Sequence, residues 1–408
     1  MTESFIDLPI QSRIFSWIIF LFPSLALTTH FGIGAIEVAV LLGTVVYLKP
    51  LARRQAVDLR PARWIVIAFA FSLMVALVSS LAFGFKSSSV DNPVRQFLAL
   101  TAIGLIVLWR PRAEWFWYGL FAGVAGAAAI ALVQRFGLNF DRANGFHQTI
   151  MFGDISMAMG LMSLAGLQLF AGTRLAPLPY VAFLAGLTAS ILSGSRGGWL
   201  ALVLSFIPLY SYGRRAIGRR ILLVAATGLS LLVAACFIPQ LKVGARIAEA
   251  VADVRQYQSG DPQTSAGLRL EMWKGAWKMF AEHPLAGVGR SNFNPGLRDL
   301  IVRKELHPAV ADFYHAHNEM LHALATEGII GGIALFGLYA APFAFFIRGL
   351  RRRDETQPYA LAGLLLVLSF IDFGLTQVLF SHHVGTGFYA LGIAILAGIC
   401  IMKQRAQP

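Results

Sequence analysis

Ionisable side chains gather in residues 315–332, which read HAHNEMLHALATEGIIGG. The stretch holds three histidines, an asparagine and two glutamates, and it runs into an apolar segment punctuated by glycines. Histidine has a reference pKa of about 6.5, so it can accept a proton near neutrality and act as a general base. His315, His317 and His322 could alternatively bind zinc, or simply hydrogen-bond to backbone at a membrane interface. Zinc is disfavoured, because the stretch has neither an H-E-x-x-H pair nor a cysteine cluster.

A second candidate site lies in LSGSRGGWLA, residues 192–201, where Arg196 falls in a tight turn between two apolar runs. An arginine at a membrane edge is costly without a partner, and a guanidinium binds phosphate oxygens bidentately. Arg269 and Arg290, from a basic stretch farther along the chain, add two more guanidinium groups. The three arginines together predict a cradle for a diphosphate. The alternative for Arg196 is a side chain that simply reaches to the aqueous interface.

Several polar residues are predicted to support these two sites. Arg142 and His147, in RANGFHQTIMFGD, either bind sugar or cap a helix, and Lys274 is a further cation near Arg269. Glu327 lies in an apolar segment, where an acid is either functional or the structural partner of an arginine. The acids outside the apolar runs are scattered and form no pair for a divalent ion. A bound diphosphate would therefore be neutralised by arginine, with no metal.

The composition places the whole constellation in a membrane. The chain has 408 residues, of which 57% are hydrophobic and 13% are charged, whereas soluble proteins average roughly 25% charged residues. Apolar runs of roughly 17 residues or more recur, each long enough to cross a bilayer as a helix. We therefore predict an all-α polytopic membrane protein with about twelve transmembrane helices. They are expected near 14–29, 32–48, 63–83, 96–109, 114–134, 150–170, 177–193, 198–213, 221–238, 322–347, 358–380 and 384–402.

The positive charges predict the orientation. Lys and Arg cluster in alternate loops, for example at 49–63, 110–112, 214–220 and 348–353. Cytoplasmic loops carry such clusters, so both termini are expected in the cytoplasm. The net charge of +13 then needs no nucleic acid to explain it.

This topology divides the chain into three parts. Residues 1–238 would form transmembrane helices 1–9, residues 239–321 a long periplasmic loop, and residues 322–408 helices 10–12 with a short cytoplasmic tail. Long loops cross the membrane regardless of their charge. The basic residues of this loop are therefore better explained by anion binding than by orientation.

One segment of the long loop is amphipathic. In SAGLRLEMWKGAWKMFAEHP, residues 265–284, Leu270, Trp273, Trp277 and Phe280 share one helical face. Tryptophans on one face of a basic helix are typical of a helix that lies in the membrane interface. A solvated helix on an ordinary loop is the alternative.

Three motifs, in order, resemble those of a known family. His317-Asn318, nine residues, Gly328, two residues and Gly331 resemble the signature of bacterial O-antigen ligases, H-[NSQ]-x9-G-x2-[GTY]. GLRLEMWKGAWKMFAEHPLAGVGRSNF, residues 267–293, resembles the R-x3-W, HP-x-x-G-x-G and F pattern of the wider ligase and polymerase superfamily. SGSRGGW resembles its S-x-S-R-G element. The resemblance covers residues 193–332, about a third of the chain.

The resemblance implies a membrane-embedded glycosyltransferase of the GT-C-like type, inverting and independent of metals and cofactors. It would transfer polysaccharide from undecaprenyl diphosphate to a sugar of lipid A–core, at the periplasmic face of the bacterial inner membrane, as a monomer among membrane lipids. His317 would be the base, and Arg196, Arg269 and Arg290 would stabilise the diphosphate. Asn318 and His315 would orient the site, and the membrane helices would hold the prenyl chain.

Three alternatives remain open. An O-antigen polymerase would use the same donor but a carrier-linked glycan as acceptor, and another relative transfers glycan to protein. A transporter or flippase of an anionic lipid would explain external arginines, but it requires ionisable groups near the membrane midplane. Glu37, Asp154 and Asp372 are the main acids in the predicted spans, and none has an obvious partner in the sequence. Loss of His317 should harm a transferase more than a transporter.

Overall fold

A computed structural model describes residues 8–48, 58–195, 197–213, 261–352 and 354–405, with scattered residues between 227 and 259. Over these ranges the protein is helical and contains no β-strand, so the predicted all-α membrane fold is confirmed. The α-helices are α1 (Ile10–Leu25), α2 (Gly32–Val46), α3 (Arg63–Phe83), α4 (Ser87–Ala99), α5 (Thr101–Trp109), α6 (Trp115–Leu132), α7 (Thr149–Leu164), α8 (Leu167–Phe170), α9 (Leu178–Ser193), α10 (Leu200–Pro208), α11 (Ser265–Glu282), α12 (Phe293–Val302), α13 (Glu319–Arg351), α14 (Gln357–Phe373) and α15 (His383–Arg405).

Eleven of the predicted spans coincide with apolar helices. Among the described residues, five helices are long and apolar enough to cross a membrane: Arg60–Phe83, Ser87–Trp109, Trp115–Gly137, Glu319–Arg351 and His383–Arg405. Six shorter apolar helices match the other spans, at Ile10–Leu25, Gly32–Val46, Thr149–Leu164, Leu178–Ser193, Gly197–Tyr212 and Gln357–Phe373. Of the predicted span at 221–238, only scattered residues are described, so the structure does not test this span. The chain is a multi-pass membrane protein.

The helix α15 forms the centre of the bundle. Its membrane-spanning window is entirely buried by the other helices, and it packs against α2, α4, α5 and α14. Small residues let these neighbours approach; Gly392, for example, lies against Leu366 of α14. Around this centre, α13 packs against α3 and α14, and α7 packs against α9 and α14. The loop between α14 and α15 consequently lies beside several helix ends.

The predicted span at 96–109 begins too late. The helical segment starts at Ser87 and continues through α5 to Trp109. Its first turns carry Asp91, Asn92 and Arg95, which lower the hydropathy that the prediction relied on. These polar side chains have partners inside the protein: Arg95 forms an ion pair with Glu37 at 2.7 Å, and Asn92 donates to the Phe380 carbonyl at 3.0 Å.

Residues 261–318 form a helical layer over one end of the bundle, which we name the cap. The predicted amphipathic helix forms as α11, and its Met272, Ala276 and Met279 face a small cap core with Phe293 and Leu297 of α12. The aromatic face is turned away from this core, and Trp277 is 56% exposed. That a membrane interface receives this face stays a prediction.

Candidate active site

His317 lies where the cap joins α13, with its backbone in a left-handed conformation (φ 49°). This conformation is uncommon for residues other than glycine, and such strain often marks functional sites. Asn318 caps α13: its Oδ1 accepts from a first-turn amide at 3.0 Å, and its Nδ2 donates to the Leu375 carbonyl at 3.1 Å. The Glu319 amide donates to the Gly374 carbonyl at 2.7 Å. The segment that carries His317 is thus fixed to the loop between α14 and α15.

The helix α13 is interrupted at Gly328, where φ is 65° and ψ is −158°. A segment of the cap, residues 284–289, fits into this interruption. Three backbone hydrogen bonds hold it there: Ile329 amide to Pro284 carbonyl at 2.8 Å, Val288 amide to Ala325 carbonyl at 3.0 Å, and Gly289 amide to Thr326 carbonyl at 2.9 Å. The H-N-x9-G and HP-x-x-G-x-G motifs are therefore two sides of one contact.

Two glycines allow this contact. A Cβ atom on Gly328 would lie 2.3 Å from the carbonyl carbon of Leu285, and one on Gly287 would lie 2.4 Å from the carbonyl carbon of Thr326. No side chain fits at these distances, so glycine is required at both positions. The predicted span at 322–347 is therefore not one regular helix, because Gly328 interrupts it and admits a loop of the cap.

Three histidine rings lie together above this end of the bundle. The ring centroids of His315 and His317 are 4.3 Å apart, and those of His315 and His382 are 5.9 Å apart. His382 lies 65 positions from His317 in the chain, so spacing alone does not connect the two. Gln377, from the same α14–α15 loop, hydrogen-bonds to the His317 side chain. Neither position was predicted, and no motif contains them.

The surroundings keep His317 neutral. Burial lowers the pKa of His317 to about 4, and the charge of Arg269 acts in the same direction, while the Gln377 hydrogen bond opposes both. Burial also lowers the pKa of His315 to about 3, with smaller effects of His317 and His382. The Nδ1 atoms of His315 and His317 have no hydrogen-bond partner within the described chain. A neutral imidazole with an unoccupied nitrogen can accept a proton.

Arg269, on the second turn of α11, brings positive charge to this site. The Asp154 carboxylate and the neutral His317 side chain both lie close enough to Arg269 to interact with its charge. Burial lowers the pKa of Arg269, and the facing Asp154 carboxylate opposes that shift. Within the ranges that the structure describes, no residue forms a hydrogen bond or salt bridge with its guanidinium. Arg269 can therefore bind an anion beside His317.

The SGSRGGW turn lies between α7 and the α14–α15 loop. Ser195 donates a hydrogen bond to the fully buried Asp154 at 2.6 Å. A Cβ on Gly198 would be 2.9 Å from the Asp154 carboxylate, and one on Gly197 would be 2.2 Å from the Thr376 hydroxyl. Arg196 itself lies outside the described residues. Ser195 and Gly198, on either side of Arg196, both lie against Asp154. The Asp154 carboxylate also faces Arg269.

The acids within the predicted spans have partners that the sequence did not reveal. Asp154 accepts from Ser195, and Asp372 of α14 accepts from the Ala201 amide at 2.7 Å. Glu37 pairs with Arg95. The sequence shows no obvious partner for these acids because each partner comes from a helix or turn distant in the chain.

Arg290 faces a different group of residues from Arg269. Its guanidinium donates to both carboxylate oxygens of Glu327, at 3.0 and 3.1 Å. Of the two readings for Glu327, the structure supports the structural one, a partner of an arginine. Because its charge is already matched, Arg290 is a weaker candidate for diphosphate binding than Arg269.

The remaining predicted residues separate into two groups. Arg142 donates to the Ser193 carbonyl at 2.7 Å and lies near Asp154, so it supports the arginine turn. Lys274 instead pairs with Glu271 at 3.3 Å within the cap. His147 lies against the Ala26 carbonyl at 3.2 Å, and its burial lowers its pKa. The described chain contains no group of three His, Cys, Asp or Glu residues arranged as a metal site.

A family model supports the resemblance that the three motifs indicate. The resemblance to the O-antigen ligase family is confirmed. The family model for O-antigen ligase matches residues 181–336, which include α9, the arginine turn, the cap and the first half of α13. All three motifs and the His317–Arg269 pair fall inside this range.

Two relatives extend the comparison. An uncharacterized protein of Haemophilus influenzae is 24% identical over 354 residues, which cover 84% of this chain and 88% of that protein. The O-antigen ligase of Escherichia coli K12 is 26% identical over 136 residues, which cover 33% of this chain and 30% of that protein. These similarities support a function of the O-antigen ligase or polymerase type.

Proposed function

We propose that this chain is an O-antigen ligase that transfers polysaccharide from undecaprenyl diphosphate to a sugar of lipid A–core. The observation that carries the proposal is that a half-buried, neutral His317 lies close enough to the Arg269 guanidinium for that charge to lower its pKa. A base and an anion-binding cation are the two groups that glycosyl transfer from a diphosphate requires. Membership of the ligase type is supported by the family match over residues 181–336.

The proposed reaction is a single displacement with inversion. The oxygen of an acceptor hydroxyl attacks the anomeric carbon, and the bond from this carbon to the diphosphate oxygen breaks. The electron pair of that bond leaves with the diphosphate, and the hydroxyl proton passes to His317. The donor is already activated, so the reaction needs neither nucleotide nor metal. One base then suffices where glycosidases use two carboxylates.

The arginines would stabilise the charge that develops on the leaving diphosphate. Arg269 is supported in this role by its position near His317 and by its lack of a short-range partner among the described residues. Arg196 follows Ser195, which is bonded to the same Asp154 that faces Arg269, so we propose that it acts with Arg269. We do not assign Arg290 to diphosphate binding, because its guanidinium already forms an ion pair with Glu327.

The carrier lipid would lie between α13 and α14. An apolar groove of about 430 Å³ begins at Glu319 and Gly374 and continues past Leu335, Phe336 and Phe343. Its polar end is therefore the segment that carries His317. A prenyl chain in the groove would extend into the hydrocarbon region while its diphosphate stays beside Arg269. We propose the bacterial inner membrane as the location, with this site on the periplasmic face and both termini in the cytoplasm.

The proposal is tested by reconstitution. Purified wild-type protein is mixed in detergent with undecaprenyl diphosphate glycan and lipid A–core, with EDTA present and ATP absent. We expect polysaccharide to be attached to lipid A–core, and His317→Ala to reduce the rate by roughly 100-fold or more, as for other general bases. The exposed His283 at the end of α11 provides the matched control, and His283→Ala should keep the wild-type rate.

The products distinguish the alternatives. Extension of the carrier-linked glycan with unmodified lipid A–core would identify a polymerase. Equal rates for wild type and for a folded His317→Ala variant would remove His317 from the chemistry. Absence of both products would favour the transporter, and a vesicle assay of lipid movement would then test it.

A further inference from the structure

A polar cavity of about 530 Å³ lies between α3, α4, α13 and the cap, and neither His317 nor Arg269 lines it. Its mouth lies at the cap, where Lys86, Ser88 and Tyr314 are exposed. From Lys86 to Gln96, α4 follows the cavity inward for about 15 Å. Three contacts hold the walls together: the Ser89 and Ser291 hydroxyls bond to each other, the Arg290 amide donates to the Ser79 hydroxyl, and the Asn92 amide group donates to the Phe380 carbonyl.

The charges of the cavity do not suit an anion. Its two cations, Lys86 and Arg290, are balanced by Glu319 and Glu327. Arg290 is bound to Glu327, so its charge is neutralised within the wall. A phosphate site would need an excess of positive charge or free guanidinium donors. The cavity therefore fits a ligand without a strong net charge.

The lining instead offers many hydrogen-bonding groups of both kinds. Hydroxyls, carboxamides and carboxylates all contribute to the walls, including those of Ser89, Asn92, Gln96, Asn294, Thr326 and Glu319. Hydroxyls both donate and accept, amides do both through separate atoms, and carboxylates accept. A saccharide presents hydroxyls that also donate and accept. Its volume is also within the range of about 300–1,000 Å³ typical of small-ligand sites.

Two side chains that line this cavity have a buried hydrogen-bonding atom without a partner in the described chain. Gln96 is only 3% exposed, and its Nε2 has no partner in the described chain. The Nδ1 of His322 is also buried and without a partner there. A buried amide without a partner costs free energy that a ligand hydroxyl would recover. Both groups line the same cavity, which indicates that a polar ligand completes it.

The cavity adjoins the candidate active site. Glu319 lines it and stands two residues beyond His317 in a segment fixed by Asn318. His322 lines it as well and lies near His315, and the His315 ring contacts His317. A ligand in the cavity would thus lie next to the segment that carries the base, and Glu319 lines both this cavity and the carrier groove.

We infer that this cavity is a saccharide subsite, in which Gln96, Glu319 and His322 bind sugar hydroxyls and hold the glycan next to His317. The inference rests on the proposed function and adds a location for the sugar. Two sources share this chemistry, namely the core sugars of the acceptor and the glycan of the donor. The balanced charge favours an uncharged part of either glycan.

Binding measurements with the full-length protein test the inference without requiring turnover. The probes are the core oligosaccharide released from lipid A by mild acid and the donor glycan released from its carrier. Their binding to wild type is measured by calorimetry. The exposed Ser88→Trp substitution should block the mouth, and Ser87→Trp, its exposed neighbour outside the lining, is the matched control. Gln96→Leu removes one buried amide at nearly constant volume.

We expect one probe to bind wild type and the Ser87→Trp variant, to lose binding in Ser88→Trp, and to bind about tenfold more weakly to Gln96→Leu. The probe that is affected identifies the source. Binding that is unchanged in both cavity variants, or absent from wild type, overturns the inference. If wild type transfers glycan and the Ser88→Trp variant does so at the same rate, the saccharide subsite is refuted but the proposed reaction is not. If the saccharide binds but no transfer occurs, the proposed reaction is refuted but the subsite is not.

Discussion

At the residue scale, the neutral state of His317 predicts an unusual pH dependence. Burial and the charge of Arg269 lower the pKa of His317 to about 4. A base with a lowered pKa stays unprotonated at every pH above that value. At low donor concentration we therefore expect kcat/KM to stay constant down to roughly pH 5 and to fall near pH 4, whereas an ordinary histidine would lose activity below about pH 6.5.

The bound donor should raise the pKa of His317. Its negative diphosphate offsets the charge of Arg269, so kcat at saturating donor should fall at a higher pH than kcat/KM. Arg269→Gln should likewise move the fall in kcat/KM upward, and Arg269→Lys, which keeps the charge, should leave it near its wild-type position. A wild-type fall near pH 6.5 that Arg269→Gln does not move would contradict this account of His317.

The chemistry-bearing residues were predictable from sequence only where a short motif contains them. His317, Arg269 and the serine–arginine turn lie in such motifs, and the structure brings His317, Arg269 and the described part of that turn to one end of the bundle. Asp154, Gln377 and His382 were missed as site residues, because they reach the site through helix packing from distant parts of the chain. The role of Arg290 depended on whether an acid faced it, which spacing alone does not decide.

At the element scale, the break in α13 predicts a large difference between two glycines of one helix. Gly328 has a backbone conformation that is nearly confined to glycine, and an added Cβ would overlap the Leu285 carbonyl. Gly328→Ala should destabilise the protein by at least about 2 kcal/mol. Gly337→Ala is the matched control, because its Cβ would lie 3.5 Å from the nearest atom, in ordinary contact. Thermal unfolding in detergent measures both, and equal melting temperatures would refute the role of the break.

Helices were more predictable than their interruptions. Sustained hydropathy located eleven of the spans, since burial in lipid or in the bundle requires apolar residues over many turns. The break at Gly328 and the early start of α4 were not predicted. Both depend on tertiary partners, a loop of the cap in one case and the Glu37 carboxylate in the other.

At the scale of the whole molecule, the proposed orientation predicts a labelling pattern. Asp312 in the cap and Glu355 between α13 and α14 are both exposed acids, and we place them on opposite sides of the membrane. In a background without Cys236 and Cys400, Asp312→Cys should react with a membrane-impermeant maleimide in intact spheroplasts. Glu355→Cys should react only after the membrane is opened. The reverse pattern would place the candidate active site in the cytoplasm.

The contact between the cap and α13 also has a consequence for comparing relatives by domain exchange. The sequence predicts a boundary between residues 321 and 322, where the long loop ends and the apolar helix begins. The backbone bonds of residues 284–289, however, reach past this boundary to Ala325, Thr326 and Ile329. The first part of α13, residues 319–332, should therefore be exchanged together with the cap as one structural unit. A chimaera that exchanges glycan specificity between relatives should therefore be joined after Gly332, so that both sides of the contact come from the same parent.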